Sequence, residues 1–450
     1  MKRCNAILPA SRGPAAMQCI TLAAELQRYF HMSEAMTPTT VILGAGQAGG
    51  ETALALRALG YTGRIVLAGS ETHLPYRRPP LSKAFLAGQA DEASLLIRPA
   101  DAYEKAEIDV RLGVTATAID RTARTVTFDD GQTLGYDHLV LALGGRVRRL
   151  PMPGGDAPNV FYLRNIADAQ RLREALTPGK RVVVVGGGYI GLEVAASAVK
   201  AGTTVTVLEA APRLLARVAE ADLADFFATL HRENGVNVQV GVGVSALELD
   251  AAGQVVAVVA GEQHLPADVV VVGIGLLPNA ELAQAAGLAV DNGIVVDEFA
   301  RTSDPAILAI GDCAHHEHPA LGRRIRLESV PSASEMAKVA ASVVHGDAPK
   351  AVATAPWFWS DQFNAKLQMV GMTDGHDAVV ERRLPDAQGA AVFMLFYLRD
   401  GAVVAAASIN RAQEFLAARE LVGRRAVIDP ARLADAATPL KTLVAELGNA

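Results

Sequence analysis

Two glycine triplets carry the first chemical signal in this chain. Gly44, Gly46 and Gly49 in ILGAGQAGGE, and Gly186, Gly188 and Gly191 in VVGGGYIGLE, each follow an apolar run and open a stretch of small, helix-compatible residues. A helix N-terminus offers N–H groups and the positive end of its dipole to an anion. The glycines permit a tight turn, backbone approach to a pyrophosphate, and close packing of helix on strand. An acid at the end of the next strand would meet an adenosine ribose: Glu209 closes VTVLE in the second unit, and Ser70 with Glu71 occupy that place in the first. Asp312, ending ILAIGD, is an acid at a strand's carboxyl end, where it can accept hydroxyls of a ribityl chain. Glu193 is the odd residue. It is a carboxylate two positions beyond the last glycine, so it either complements the helix dipole or is aimed at something other than phosphate.

Elements that must position these groups follow from the pattern. TTVIL and RIVLAG flank the first glycine loop as strands, with a helix between them, and the unit returns at RVVVVGGGYIGLEVAASAVKAGTTVTVLEA. Two such units imply two dinucleotides, most economically a flavin and a nicotinamide set face to face. Between them, alternation around Val126 and Phe128, a DDG turn and the buried run Leu139 to Leu143 predict a small antiparallel excursion that returns to a parallel sheet. VVVVGIGLLPN (269–279) reads as another buried strand ending in glycines. The last hundred residues change character. Both tryptophans fall in PWFWSDQF (356–363), as core or as a cleft wall, and AVFMLFYL and AVVAAASI flank RDG, read as a three-residue hairpin loop before a helix around Ala412 to Leu421. The expected fold class is α/β: two Rossmann-like nucleotide-binding domains plus a C-terminal α+β domain.

Composition narrows the function classes. At 450 residues the chain accommodates two or three domains, and half of it is hydrophobic. No run approaches the ~20 apolar residues of a membrane span, which with the low cysteine count points to a cytoplasmic setting. The formal net charge of -6 gives no sign of nucleic-acid binding, although Arg far outnumbers Lys and can form local basic patches. The three cysteines, Cys4, Cys19 and Cys313, form no CxxC and no close pair, which argues against a disulfide framework, a zinc site or a redox dithiol. Electrons handled here therefore travel through a bound cofactor. Residues 1–37 are expected to be an unstructured extension, since Pro9, Arg12 and Pro14 break the apolar core that a secretory signal requires.

In combination, PPLSKAFLAG (79–88), GGGYIGLE, GIGLLPN, SDPAILAIGDCA, RLESVP (326–331) and PWFWSDQ resemble the flavin-dependent ferredoxin reductases that serve bacterial oxygenases, from about Thr39 to the C-terminus. The resemblance implies a discontinuous FAD-binding domain (38–149 and 281–353), an inserted NAD-binding domain (150–280) and a C-terminal interface domain (354–450). Carried over by position, FAD would be held by Gly44, Gly46, Ala48, Gly49, Ser70, Glu71, Lys83, Ala116, Arg146, Asp312 and Val330. NAD would use Gly186, Gly188, Tyr189, Ile190, Gly191 and Glu209, with Ile274 and Gly275 near the nicotinamide. Two departures from the family pattern stand out: Ser70 replaces an acid, and ALG before Gly145 replaces ATG, so a threonine hydroxyl is lost at Leu143.

The loop YRRPPLSK supplies Lys83 and no thiol, which makes disulfide reduction a poor reading. The activity implied is NADH:ferredoxin oxidoreductase. Hydride passes to non-covalent FAD, and single electrons then pass to a 2Fe-2S ferredoxin feeding a haem mono-oxygenase or other oxygenase. Lys83 and Glu193 form the expected catalytic pair, with Glu193 turned toward the flavin. Ferredoxin would dock near the flavin through arginine patches, the candidates being Arg77, Arg78, Arg323, Arg324, Arg382 and Arg383. A rubredoxin reductase or NADH oxidase of the same fold, and an NADH-binding signalling flavoprotein without turnover, remain as alternatives.

Overall fold

The computed structural model describes residues 37–383 and 391–447. The expected extension lies outside them apart from Thr37, as do Cys4 and Cys19.

Valine-rich and isoleucine-rich runs, buried on both faces, build two parallel five-stranded sheets. In the first, strand Thr39–Leu43 lies between Arg64–Gly69 and His138–Leu141, with Ile108–Leu112 and Ile307–Ala309 at the edges. In the second, Arg181–Val185 lies between Thr204–Glu209 and Val269–Val272, with Asn237–Val240 and Val160–Phe161 outermost. All pairings within both sheets are parallel. The strand Ile307–Ala309 joins the first sheet only after the chain has completed the second, so the second unit is an insertion in the first.

The units share an embellishment. Each leaves its parallel sheet for a three-stranded antiparallel meander before its next strand. The first, Ala116–Asp120, Thr125–Phe128 and Thr133–Gly135, was legible as the alternating excursion. The second, Val244–Leu249, Val255–Ala260 and Gln263–Pro266, was not read from the sequence. An antiparallel ribbon of Gly145–Val147 against Leu276–Pro278 spans the two crossings between the units.

A third, antiparallel sheet runs in the order Trp357–Gln362, Ala365–Gly371, Ala402–Ile409, Phe393–Arg399, Ala378–Arg383. Its central hairpin corrects the three-residue RDG loop. Arg399 pairs with Ala402, leaving a two-residue loop whose members, Asp400 (φ 52°) and Gly401 (φ 76°), both lie in the left-handed region. That geometry matches the twist of adjoining strands, and aspartate tolerates it better than most residues. One face of this sheet has no core of its own. Leu367, Met369, Leu395 and Ala407 pack into the same cluster as Val182, Leu192 and Phe227 of the second unit, while helix Ala412–Gly423 covers the other face.

Candidate functional site

The two glycine loops are built alike. Gly44 (φ 111°) and Gly186 (φ 108°) occupy left-handed turns at the strand ends. A Cβ on Gly49 would stand 1.9 Å from the Gly44 carbonyl oxygen, and one on Gly191 2.2 Å from that of Gly186, so the third glycine seats helix on loop. The middle glycines differ in kind. A Cβ on Gly46 or Gly188 would meet nothing within 4 Å, so the protein's own packing does not require glycine there. Neither helix that follows, Gln47–Ala58 or Tyr189–Lys200, has a side-chain cap, which leaves first-turn N–H groups for another acceptor.

At the ribose positions the units diverge. Glu209 accepts from the backbone N–H groups of Gly187 and Ala211, both at 2.7 Å, and remains half-buried at the end of its strand. Arg213, the next cation in the chain and one that could favour an added phosphate, is committed elsewhere: its guanidinium donates to the carbonyls of Ala216 and Ala219. In the first unit Ser70 is exposed, whereas both Glu71 oxygens are engaged, by Tyr76 Oη at 2.6 Å and Arg78 at 2.5 Å. Burial by itself raises the Glu71 carboxyl, but Arg78 and the two hydrogen bonds outweigh it and leave the pKa below the ordinary value. The backbone of Gly113 and Val114 bonds to Glu71 and Gly69, which brings the segment before Ala116 alongside this strand end.

Arg78 is thereby corrected as a docking candidate. It also donates to the Arg164 carbonyl at 2.6 Å and is an internal strut. Arg164 in turn reaches Asp312 at 3.4 Å, and its backbone is fixed by the Asn165–Asp168 capping box ahead of helix Ile166–Ala175. Asp312 sits in the turn Gly311–Cys313, where a Cβ on Gly311 would lie 3.2 Å from Ala48. The turn is thus seated against the first glycine-loop helix. Val330 opens helix Val330–His345, capped by Ser329. Arg146 points outward to Asn279 and Glu281. Gly275 lies under the Arg217 guanidinium, and Ile274 lies against Gly186. Ile190 is half exposed at the head of its helix, while the Tyr189 side chain leaves the loop for Met369 and Phe358 of the third sheet.

Glu193 settles its own question by geometry. It lies past the first helical turn, only 4% exposed, and its Oε2 stands 2.7 Å from Lys83 Nζ. Ser82 Oγ donates to the same oxygen at 2.5 Å, and Ser360 Oγ donates to Oε1 at 2.6 Å. Lys83 gives a second hydrogen bond to the Pro79 carbonyl at 3.2 Å. A buried ion pair is tolerated only when its remaining valences find partners, and here both Glu193 oxygens accept from hydroxyls while Lys83 keeps a second acceptor in Pro79. Residues from the first unit, the second unit and the third sheet therefore meet on one carboxylate.

Residues 38–337 match the family model described as pyridine nucleotide-disulphide oxidoreductase, and 357–444 match the reductase C-terminal model. The chain belongs to the pyridine nucleotide-disulphide oxidoreductase family. It is 46% identical to putidaredoxin reductase CamA of Pseudomonas putida over 90% of this chain and 96% of that protein. It is 46% identical to the ferredoxin–NAD(+) reductase component of an anthranilate 1,2-dioxygenase system of Burkholderia cepacia, over 90% and 98%. The reductase in the crystal structure of a covalent putidaredoxin reductase–putidaredoxin complex superposes with a TM-score of 0.87 at 44% identity, covering 91% of this chain and 98% of that one.

Among the described residues of this pyridine nucleotide-disulphide oxidoreductase, the cysteine chemistry of the family name has no counterpart. Cys313 is the free cysteine among the described residues, fully buried, and burial pushes its thiol up to about 11. One further expectation is corrected. Arg382, offered as a docking residue, is 0% exposed: it pairs with Glu414 and donates to the carbonyls of Leu433, Asp435 and Thr438. The tryptophans are half-buried. Trp357 packs on Phe415 under Arg419, and Trp359 lies beside it. Sequence reasoning missed Ser82, Ser360 and Arg164. The first two lie inside quoted motifs, PPLSK and WSDQ, but nothing in either motif signals a shared partner.

Proposed function

We infer that this chain is an FAD-dependent NADH:ferredoxin oxidoreductase of an oxygenase system. The observation that carries the reading is the buried Lys83–Glu193 pair, which joins the loop expected beside a flavin to the helix expected beside a nicotinamide dinucleotide. Family membership and relatives named as ferredoxin reductases support it. FAD, when bound, accepts hydride from the nicotinamide and passes electrons on one at a time.

The chain's own residues bind and orient. Gly44, Gly46, Ala48 and Gly49 would receive the FAD pyrophosphate on uncapped N–H groups, with Ser70, Ala116, Arg146, Asp312 and Val330 along the rest of the cofactor. Glu71 would be held at the ribose end by Tyr76 and Arg78, with a lone pair left on each oxygen for a hydroxyl. Gly186, Gly188, Tyr189, Ile190, Gly191, Glu209, Ile274 and Gly275 would receive NADH, Tyr189 through its backbone. The open space over Gly46 and Gly188 fits such ligands, because a close-approaching phosphate leaves no room for a Cβ. Lys83 holds a cation at the flavin site and Glu193 fixes its position. The domain limits that best suit this reading are 38–149 with 281–353 for FAD, 150–280 for NAD and 354–450 for the interface domain. No described helix is long and apolar enough to cross a membrane, and a cytoplasmic setting would suit NADH as electron source.

The test is direct. Protein purified with its native flavin is assayed for NADH-driven reduction of a 2Fe-2S ferredoxin, a rubredoxin and oxygen. Fastest turnover with the 2Fe-2S ferredoxin and release of FAD on acid precipitation are expected. Preference for rubredoxin or oxygen, or flavin that remains on the precipitated chain, would contradict the assignment.

A further inference from the structure

Beyond the Lys83–Glu193 pair, a line of polar side chains runs from Glu193 into the protein. Ser360 and Gln362 stand two residues apart on strand Trp357–Gln362, hence on one face. Gln362 Nε2 donates to Ser360 Oγ at 3.1 Å, and Gln362 Oε1 faces His231 Nε2, from helix Ala221–Glu233, at 2.8 Å. His231 is 0% exposed, and burial pushes its pKa down to about 4, so the imidazole is neutral. With its proton on Nε2 it donates to the Gln362 oxygen, which turns the amide N–H toward Ser360. The Ser360 hydroxyl, already accepting from Gln362, directs its own hydrogen to Glu193 Oε1. Three donors thus point one way and end on a charge, an arrangement in which each hydrogen bond polarises the next.

The two ends of the Glu193 carboxylate are pulled in opposite directions. Ser82 and Lys83 hold Oε2 from the flavin-side loop, and the Ser82 carbonyl is itself tied by Ser197. Ser360 holds Oε1 from the C-terminal sheet. We propose that Ser360 is a positioning residue for the Lys83–Glu193 pair: its hydroxyl, kept aimed by Gln362 and His231, takes up part of the Glu193 charge and so leaves more of the Lys83 charge for the flavin site. The C-terminal sheet thereby tunes the redox site as well as forming a wall. This inference rests on the reading of Lys83 as the cation beside FAD.

The direction of the effect follows from electrostatics. Without the Ser360 hydroxyl, Glu193 is neutralised by Lys83 and Ser82 alone, the ammonium is held more tightly, and negative charge at the flavin site is stabilised less. Purified holoenzyme carrying Ser360→Ala should reduce its flavin with NADH about tenfold more slowly, the scale of one hydrogen bond to a charged group. Its flavin midpoint potential should move to more negative values, while the NADH dissociation constant stays at the wild-type level. Gln362→Leu, which frees the Ser360 hydroxyl to rotate, should shift rate and potential in the same sense by less, and add nothing in the Ser360→Ala background. A potential and rate equal to wild type in folded Ser360→Ala would overturn the proposal. If that variant cannot be isolated folded, an unchanged potential in Gln362→Leu does the same. Wild-type protein with no flavin reducible by NADH would instead overturn the functional reading and this inference together.

Discussion

Lys83 and Glu193 form a pair whose worth depends on both members being present. A lone ammonium or carboxylate at this depth is costly, because the medium around it stabilises charge poorly. Removing either partner therefore changes the field at the proposed flavin site and the aim of the survivor together. Lys83→Ala and Glu193→Gln are each expected to slow flavin reduction by NADH tenfold or more in stopped flow, about 1.4 kcal/mol of barrier. The double variant should be no slower than the worse single one, as for groups acting as a unit. FAD content should be retained, and wild-type rates in both single variants would leave the Lys83–Glu193 pair a structural tie with no part in the reaction. A second prediction belongs to Glu209. Its oxygens already accept two backbone N–H groups, but a carboxylate has lone pairs left for ribose hydroxyls. A 2′-phosphate would instead meet its charge, and Arg213 is committed to carbonyls of its own loop. NADH should exceed NADPH in kcat/KM by roughly thirtyfold, about 2 kcal/mol, and equal constants would refute the assignment.

At the scale of elements, the glycine loops separate binding from folding. Gly46 (φ -93°) and Gly188 (φ -81°) have backbone angles that alanine adopts freely, and a Cβ at either would touch nothing in the protein. Gly46→Ala should therefore leave the melting temperature of flavin-free protein unchanged while lowering FAD retention, and Gly188→Ala should weaken NADH binding without loss of flavin. Gly49→Ala and Gly191→Ala, whose Cβ would strike a carbonyl oxygen near 2 Å, should destabilise the fold itself. Equal behaviour of the two classes, measured by thermal unfolding and flavin content, would defeat the distinction. These loops and the strands around them were legible because their signals are local: apolar runs, glycine spacing, a terminal acid. What was not legible is non-local. Ser82 and Ser360 reach Glu193 across 111 and 167 residues of chain, and no spacing rule spans such distances. Arg382 reads as a surface charge until its parity on strand Ala378–Arg383 is noticed. It shares the inward face with Val380, and carbonyls of the connection after helix Pro430–Ala434 receive its guanidinium. The second meander escaped because its alternation, along SALELD and QVVAVVA, is diluted by alanine and glycine.

For the molecule as a whole, two of its parts stand on one core. The third sheet packs into the second unit's cluster and touches it through Thr373–Glu220 and His231–Gln362, so the two should unfold together. Buried histidines, His231 in this shared part and His316 in the first unit, make the molecule's stability pH-dependent. His231 and His316, both 0% exposed, are pushed by burial to about 4 from an ordinary 6.5. Because the folded values lie below the unfolded one, their contribution is complete above pH 6.5 and is lost as pH falls toward 4, on the order of a few kcal/mol. The urea midpoint should drop between pH 7 and pH 4.5, and the double variant His231→Gln, His316→Asn should flatten that drop. Docking of the ferredoxin is also a property of the whole surface, and the geometry narrows its candidates. Arg382 and Arg78 are engaged internally, while Arg323 and Arg383 each lie against an acid, Asp374 and Glu381. Arg77 is exposed and its guanidinium donates to the carbonyls of Ser94 and Leu96, with no acid against it among the described residues, and Arg324 stands 3.9 Å from Glu317. These two present the least neutralised charge, and Arg77 shares the loop of Lys83. Exposed charges steer association over distances that salt screens, whereas hydride transfer within a bound complex is insensitive to it. The Arg77→Gln, Arg324→Gln double variant should therefore reduce a 2Fe-2S ferredoxin severalfold more slowly at low ionic strength, with the difference closing as salt rises past about 0.3 M. Flavin reduction by NADH should be unaffected at any salt. A deficit that persists at high salt would mean that the arginines are packing contacts, and a wild-type ferredoxin rate independent of salt would remove electrostatic steering from the account altogether.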